Sequence, residues 1–314
     1  MTTVLSNPLR PALLAAARSS TLQTTLTRLR ATRSLVDRFV AGESEPAAVA
    51  AVDTLLASGR FVSVDYLGED TTDSALATAT VESYLSLIQR FSSRETSGRA
   101  LEVSLKLSAL GQGIDRSLAL ENARTICTAA EAAGVWVTVD AEDHTTTDST
   151  LSIVRELRVD FPDLGTVLQA YLRRTEADCV DLSGPRSRIR LCKGAYNEPS
   201  SVAFQGTREV SDSYLRCLQV LMNGRGYPMV ASHDPEMIEA AERFASAAGR
   251  SSEDFEFQML YGIRDQEQRR LVAADRHVRV YVPYGEQWYG YFMRRLAERP
   301  ANLMFFARSL LSRK

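Results

Sequence analysis

LEVSLKLSALGQGIDRSLALENARTICTAAEAAGVWVTVD, residues 101–140, holds two short β-rich runs separated by one long helical run. LEVSLKL (101–107) and VWVTVD (135–140) are rich in branched and aliphatic side chains, as strands buried in a sheet are. SLALENARTICTAAEAAG (117–134) is built of helix-forming residues and stops at Gly134, the usual C-terminal device of a helix. The same unit recurs along the chain. Further strand runs are FVSVDYL (61–67), GTVLQAY (165–171), SRIRLCK (187–193), YPMVAS (227–232), FEFQML (255–260) and VRVYVP (278–283), with helical stretches between them. Eight strands, each followed by a helix, make the count of a (βα)8 barrel of the TIM type. A doubly wound open sheet also alternates, but seldom through eight units of this regularity. No sequence repeat of fixed period accompanies the alternation, so the regularity is architectural. The reading is therefore an α/β chain in which residues 1–58 form a helical segment packed on the barrel. Residues 59–314 form the barrel and a C-terminal helix.

Composition narrows the function. The 314 residues are 45% hydrophobic and 24% charged with a formal net charge of −2, an ordinary globular balance. General nucleic-acid binding needs a basic footprint that this chain lacks. Cys127, Cys179, Cys192 and Cys217 form no CxxC pair, which points to thiols in a reducing compartment. Residues 1–36 contain five arginines and no acid. That composition suits a transit peptide or a pair of surface helices; Pro8 and Pro11 suit helix starts, and helices are the preferred reading. No apolar run approaches the roughly 20 residues of a membrane span. The histidines and cysteines show no convincing metal-ligand spacing.

Barrels of this kind do their chemistry at the carboxyl ends of the strands. Those ends carry Asp65, Lys106, Asp140, Gln169, Lys193, His233, Gln258 and Tyr281. Lys106 could form a Schiff base if burial depressed its pKa, or act as an electrostatic anchor beside Asp140. Asp140 could equally cap the following loop. In RLCKGAYNEP, Arg190 stands inside a strand, where a cation demands an anionic or electron-rich partner. Lys193 and Gly194 end that strand, the glycine permitting close backbone approach to a ligand. After the last strand comes YFMRRLAERPAN (291–302), in which Tyr291, Arg294, Arg295 and Glu298 fall on one helical stripe. Two planar guanidinium forks beside a tyrosine suit the capture of a carboxylate, and Glu298 could orient one of them. Phe292 and Leu296 supply a separate packing face.

At these residues the chain resembles the proline dehydrogenase family, flavin-dependent enzymes that open proline catabolism. DYLGE (65–69), SLKLSAL (104–110), VDAED (139–143), LQAY (168–171), RLCKGAY (190–196), EFQMLYG (256–262) and YFMRRLAER (291–299) look like its motifs, in family order. The likeness spans about residues 35–300. The length fits the monofunctional bacterial form, without the DNA-binding or aldehyde dehydrogenase domains of the fused enzymes. The resemblance implies a distorted barrel holding non-covalent FAD with L-proline against it. Arg294, Arg295 and Lys106 would bind the substrate carboxylate, with Tyr281, Tyr291, Leu260 and Glu298 completing the substrate site. Asp140 and Arg190 would be catalytic, and Arg190 would also touch the cofactor. Ala141, Gln169, Lys193, Gly194, Ala195, Tyr196, Ser232 and His233 would contact FAD, and Glu69 would pair with Arg294 as a gate. Asn197 and the run Ser232–His233–Asp234 depart from the commonest family residues. Tyr281 matches proline-specific members.

The resemblance also implies a quinone as electron acceptor and a separate pyrroline-5-carboxylate dehydrogenase to take the product. The implied setting is cytoplasmic, with peripheral contact at the inner face of the cell membrane. NLMFFARSLLSRK (302–314) could be an interfacial helix or a terminal helix packed on the barrel. Two rival readings stand beside this one: a Schiff-base aldolase barrel using Lys106 or Lys193, and a non-catalytic anion-binding sensor barrel.

Overall fold

The computed structural model describes residues 36–94 and 99–298, with side chains as far as Leu296. The arginine-rich N-terminal stretch, Glu298's side chain and the 302–314 stretch lie outside the described residues. Eight strands close into one parallel barrel in sequence order. They are β1 (Phe61–Tyr66), β2 (Leu101–Leu105), β3 (Trp136–Val139), β4 (Gly165–Gln169), β5 (Arg188–Cys192), β6 (Tyr227–Ala231), β7 (Glu256–Leu260) and β8 (Val278–Tyr284). The ring closes where β1 pairs with β8 from Phe61↔Arg279 to Tyr66↔Tyr284. The alternation read from the sequence is this barrel, with most strands ending one or two residues earlier than expected.

Helix α1 (Glu45–Leu56) precedes the barrel, and α2 (Ser74–Ser92), α3 (Arg116–Ala132), α4 (Thr147–Leu157), α5 (Thr175–Leu182), α6 (Thr207–Asn223), α7 (Pro235–Ala247) and α8 (Asp265–Ala273) follow successive strands. α9 (Trp288–Glu298) comes after β8. Short acidic side chains start several of them. Asp73 accepts from Ala75 N, Asp115 from Ser117 and Leu118 N, and Asp234 from Glu236 N, with Pro235 already in its helical φ. Gly134 ends α3 at φ +66, a left-handed turn that an L side chain resists.

The parallel register sorts each strand into two faces. Val62, Val64, Val103, Leu105, Val137 and Val139 point outward and pack with Tyr84, Leu87, Ile88, Phe91 and Ile126 of α2 and α3. Val52 and Leu55 of α1 join the same cluster. A second cluster joins Leu191, Val230 and Phe257 to Tyr214, Leu218 and Ile238 of α6 and α7. Each such fully buried aliphatic side chain contributes roughly 1.5–3 kcal/mol. The inward face is different. Barrels usually fill it with branched aliphatics, whereas here Ser63 and Asp65, Glu102 and Ser104, Thr138, Arg188 and Arg190, Glu256 and Gln258, and Arg279 and Tyr281 share it by register. The barrel interior is largely ionic, with Val167, Tyr227 and Met229 beside the arginines of β5 on the same face.

Above the carboxyl ends sits a third apolar cluster. Val36, Phe39 and Val40 pack with Leu67 and with Trp288, Tyr289, Phe292 and Leu296 of α9, and Ile263 and Tyr281 lie against it. Phe292 and Leu296 thus take the packing role expected of them, and α9 is anchored over the mouth.

Candidate active site

Lys106, just past the end of β2, reaches across the mouth to β1, β3 and β8. Its Nζ lies 2.5 Å from Asp65 Oδ2, 3.4 Å from Asp140 Oδ2 and 3.2 Å from the Tyr281 hydroxyl. Burial works against the ammonium, but Asp65 and Asp140 outweigh it and hold the pKa above the ordinary lysine value. Lys106 is therefore a fixed cation and not a free amine. The Tyr281 hydroxyl lies 2.7 Å from Asp65 Oδ2 and 2.8 Å from Asp140 Oδ2. One phenolic proton faces two carboxyl groups, so it can fully serve only one at a time. Burial pushes the Asp65 carboxyl up, and the Lys106 ammonium beside it opposes that shift.

Asp140 turns its other oxygen inward. Oδ1 accepts from Arg190 Nη1 at 2.7 Å and from Ser104 Oγ at 2.8 Å. Arg190 Nη2 donates to Glu102 Oε1 at 2.7 Å and to Ser63 Oγ at 3.1 Å. Below it, Glu102 also pairs with Arg188, and Arg279 grips Glu256 through two bonds of 2.7 and 2.9 Å. Burial would raise the Glu102 carboxyl, yet Arg279, Arg188 and Arg190 together hold it well below the usual range. The partner that Arg190 demanded is thus a stacked pair of carboxylates. Its Nε is buried and has no hydrogen-bond partner among the described residues.

The other expected residues gather around this centre in three groups. Lys193 Nζ donates to Asp234 Oδ2 at 2.7 Å and to Ser211 Oγ at 3.0 Å, while Asp234 N donates to Ser232 Oγ. His233 Nε2 accepts from Leu260 N at 2.9 Å, which places a neutral ring's proton on Nδ1. Gln169 Nε2 donates to the carbonyl of Glu142, next to Ala141. Gly194, followed by Ala195, adopts φ +111, and a Cβ there would lie 2.3 Å from the Tyr171 ring. The close approach this glycine allows is to Tyr171, whose hydroxyl donates to Glu198.

On α9, Arg294 pairs through both Nη atoms with both oxygens of Glu69, and its guanidinium stands 5.5 Å from the Tyr196 ring. Burial opposes that cation, and Glu69 outweighs it and raises its pKa. Arg295 lies 5.0 Å from the ring of Tyr291. Among the described residues the carboxylate that orients Arg294 is Glu69, from the loop after β1; Glu298, four residues along the helix, lies with its side chain outside them. Reasoning from sequence passed over Glu102, Ser104 and Glu142. The available signal was polar residues at i, i+2 and i+4 within strands, as in Glu102, Ser104 and Lys106.

What the arrangement offers is an anion-receiving mouth, walled by tyrosines and floored by a charge-balanced network. No group of three or more candidate metal ligands occurs among the described residues. No helix among them is long and apolar enough to cross a membrane.

Known proteins share this arrangement of chain. The profile of the family "Proline dehydrogenase" matches residues 48–308. The proline dehydrogenase of Deinococcus radiodurans is 41% identical over 283 residues, covering 88% of this chain and 90% of its own. Proline dehydrogenase 2 of Bacillus subtilis is 39% identical over 274 residues, covering 87% and 89%. The crystal structure of proline utilization A from Bdellovibrio bacteriovorus, inactivated by N-propargylglycine, superposes with a TM-score of 0.77 at 23% identity, over 92% of this chain and 36% of that one.

Proposed function

Because the chain belongs to the proline dehydrogenase family, oxidoreductases acting on the CH–NH group of proline, we propose that it oxidises L-proline to Δ1-pyrroline-5-carboxylate with FAD bound at the barrel mouth. The observation that carries this reading is the set of three cations, Arg294, Arg295 and Lys106, on α9 and the β2 end, around a mouth lined by Tyr281 and Asp140.

The two guanidinium forks and the Lys106 ammonium receive the substrate carboxylate, the forks giving it a fixed plane. Tyr281, Tyr291 and Leu260 wall the pyrrolidine ring, so that holding one end of the substrate also aims its C5–H bond. Orientation of that kind supplies much of a rate enhancement. FAD, when bound, supplies the acceptor for the hydride leaving C5. The ring nitrogen must be unprotonated so that its lone pair forms the C=N bond as the hydride departs.

The residues fit such a cofactor. Arg190 keeps one buried donor, Nε, unused by the protein, and Asp140 and Glu102 hold the rest of its guanidinium rigid. Ala141, Gln169, Lys193, Gly194, Ala195, Tyr196, Ser232 and His233 form a continuous rim from β3 to β6 with amide, ammonium, hydroxyl and imidazole donors. Glu69, paired with Arg294, closes the mouth and excludes water.

The electrons go on to a quinone at the inner face of the cell membrane, met from the cytoplasm, and a separate pyrroline-5-carboxylate dehydrogenase takes the product. Residues 59–314 form the catalytic unit, and residues 1–58 a segment attached to it. The aldolase alternative needs a neutral amine, whereas Lys106 is held as an ammonium by Asp65 and Asp140, and Lys193 is paired with Asp234.

The experiment is an anaerobic titration of the purified yellow protein with L-proline. Bleaching of the oxidised flavin band is expected. A flavin that stays oxidised, or a protein purified without one, overturns the reading.

A further inference from the structure

Glu142 is a buried carboxyl that the reaction does not use. It lies two residues past Asp140 in the loop after β3, and both of its oxygens are spent on one residue. Ser108 N donates to Oε1 at 3.1 Å, and the Ser108 hydroxyl donates to Oε2. Ser108 stands two residues past Lys106 in the loop after β2, and it is equally committed on its other side. Its Oγ accepts from Asp70 N at 3.1 Å, and its carbonyl accepts from Thr71 N at 3.2 Å. Asp70 holds a left-handed backbone, φ +53, sparsely populated for a residue with a side chain. The residue before it is Glu69, whose carboxylate grips Arg294.

From this chain of contacts we propose that Glu142 and Ser108 are positioning residues that fix the hinge of the Glu69 lid. The inference rests on the reading of Glu69 as the closing partner of Arg294. When ionised, Glu142 fixes the direction of the Ser108 hydroxyl: with its proton committed to the carboxylate, the oxygen presents a lone pair to Asp70 N. That hydrogen bond and the one to Thr71 N hold the strained turn at Asp70. The turn aims the Glu69 side chain at α9. Ser108 and Glu142 are 6% and 7% exposed, so losing the bond between them leaves a buried group unpaired.

The test is a double-mutant cycle on the purified holoenzyme, comparing Glu69→Gln, Ser108→Ala and the double variant by steady-state kinetics with L-proline. Ser108→Ala is expected to raise KM about fivefold to tenfold, as loss of one net hydrogen bond in the lid would, while kcat changes less than about twofold. The double variant should be no worse than Glu69→Gln alone, because both act through one hinge. Ser108→Thr, which keeps the hydroxyl, should restore KM, and Glu142→Ala should reproduce Ser108→Ala. Independent, multiplying effects of Ser108→Ala and Glu69→Gln overturn the hinge while leaving the lid intact. So does a Ser108→Ala enzyme with unchanged KM, or a Ser108→Thr enzyme no better than Ser108→Ala. If Glu69→Gln itself leaves KM unchanged, the lid reading fails, and the hinge with it.

Discussion

Arg294 and Glu69, 225 residues apart in sequence, meet as a two-bond ion pair above the barrel mouth, Nη1 to Oε2 at 2.9 Å. Arg294 is 12% exposed in this pair, so the guanidinium that would greet a substrate is already desolvated and planar-locked. An ammonium cannot reproduce that fork. Arg294→Lys and Arg295→Lys are each expected to raise KM for L-proline by about tenfold or more, the effect of losing roughly 1.5–3 kcal/mol from a charged hydrogen bond. Turnover at saturating proline should fall much less. Steady-state kinetics decide it, and an unchanged KM in both variants removes the arginines from substrate binding.

Lys106 should never form a covalent adduct. Two carboxyl groups and a phenol surround its ammonium, and attack on a carbonyl needs the free amine. Borohydride treatment in the presence of Δ1-pyrroline-5-carboxylate is expected to leave the intact mass of the protein unchanged. A stable adduct mapped to Lys106 would restore the aldolase reading.

Glu102 joins two arginines of β5, Arg188 and Arg190, inside the barrel. Glu102→Gln leaves both cations buried with too little negative charge beside them. Breaking one side of a buried pair costs about 3–5 kcal/mol. Urea denaturation should show a loss of that order, and a loss below about 1 kcal/mol would mean that the interior charges are far better hydrated than their burial implies.

Glu142 makes stability depend on pH in a definite direction. Burial, opposed by the two Ser108 hydrogen bonds, pushes its carboxyl up to about 7 from the ordinary glutamate value of 4.5. A group raised on folding contributes stability that is fully present below its unfolded pKa and is lost as pH rises through its folded one. The stability of the native protein relative to Glu142→Gln should therefore fall between about pH 4.5 and pH 7 and level off above that. The change is on the order of 3–4 kcal/mol. Melting temperatures of both proteins across that range provide the check, and parallel curves would place the titration elsewhere.

The barrel was legible in the chain because its outward face is a run of Val, Leu and Ile at strand spacing, and each strand ends in a turn and a helix start. Lys106, Asp140, Lys193 and Tyr281 could be picked out because a barrel's chemistry is confined to one end. Most pairings inside the barrel were not legible. Asp65 touches Lys106 from 41 residues away and Tyr281 from 216, and nothing local in DYLGE says which of its neighbours across the ring it will meet. Arg188, Arg279 and Glu256 carry no local sign of burial, since alternation of charged and apolar side chains usually means one wet face. Closure of the ring turns that face into an interior. Glu298, the sequence-local partner for the arginine pair, has its side chain outside the described residues, whereas Glu69, which the resemblance pairs with Arg294, meets it from another loop.

Interlocking of the ionic interior has a consequence for how the molecule assembles. Among the described residues, a fragment holding β1 to β4 would carry Asp65, Glu102 and Asp140 with Lys106 as their sole interior counter-cation, and its complement would carry Arg188, Arg190 and Arg279 with Glu256. Neither half-barrel can neutralise itself, so each would repel its own chain in isolation and attract the other. Cut between β4 and β5, the two pieces should remain unfolded apart and recombine when mixed, with recombination weakened by salt.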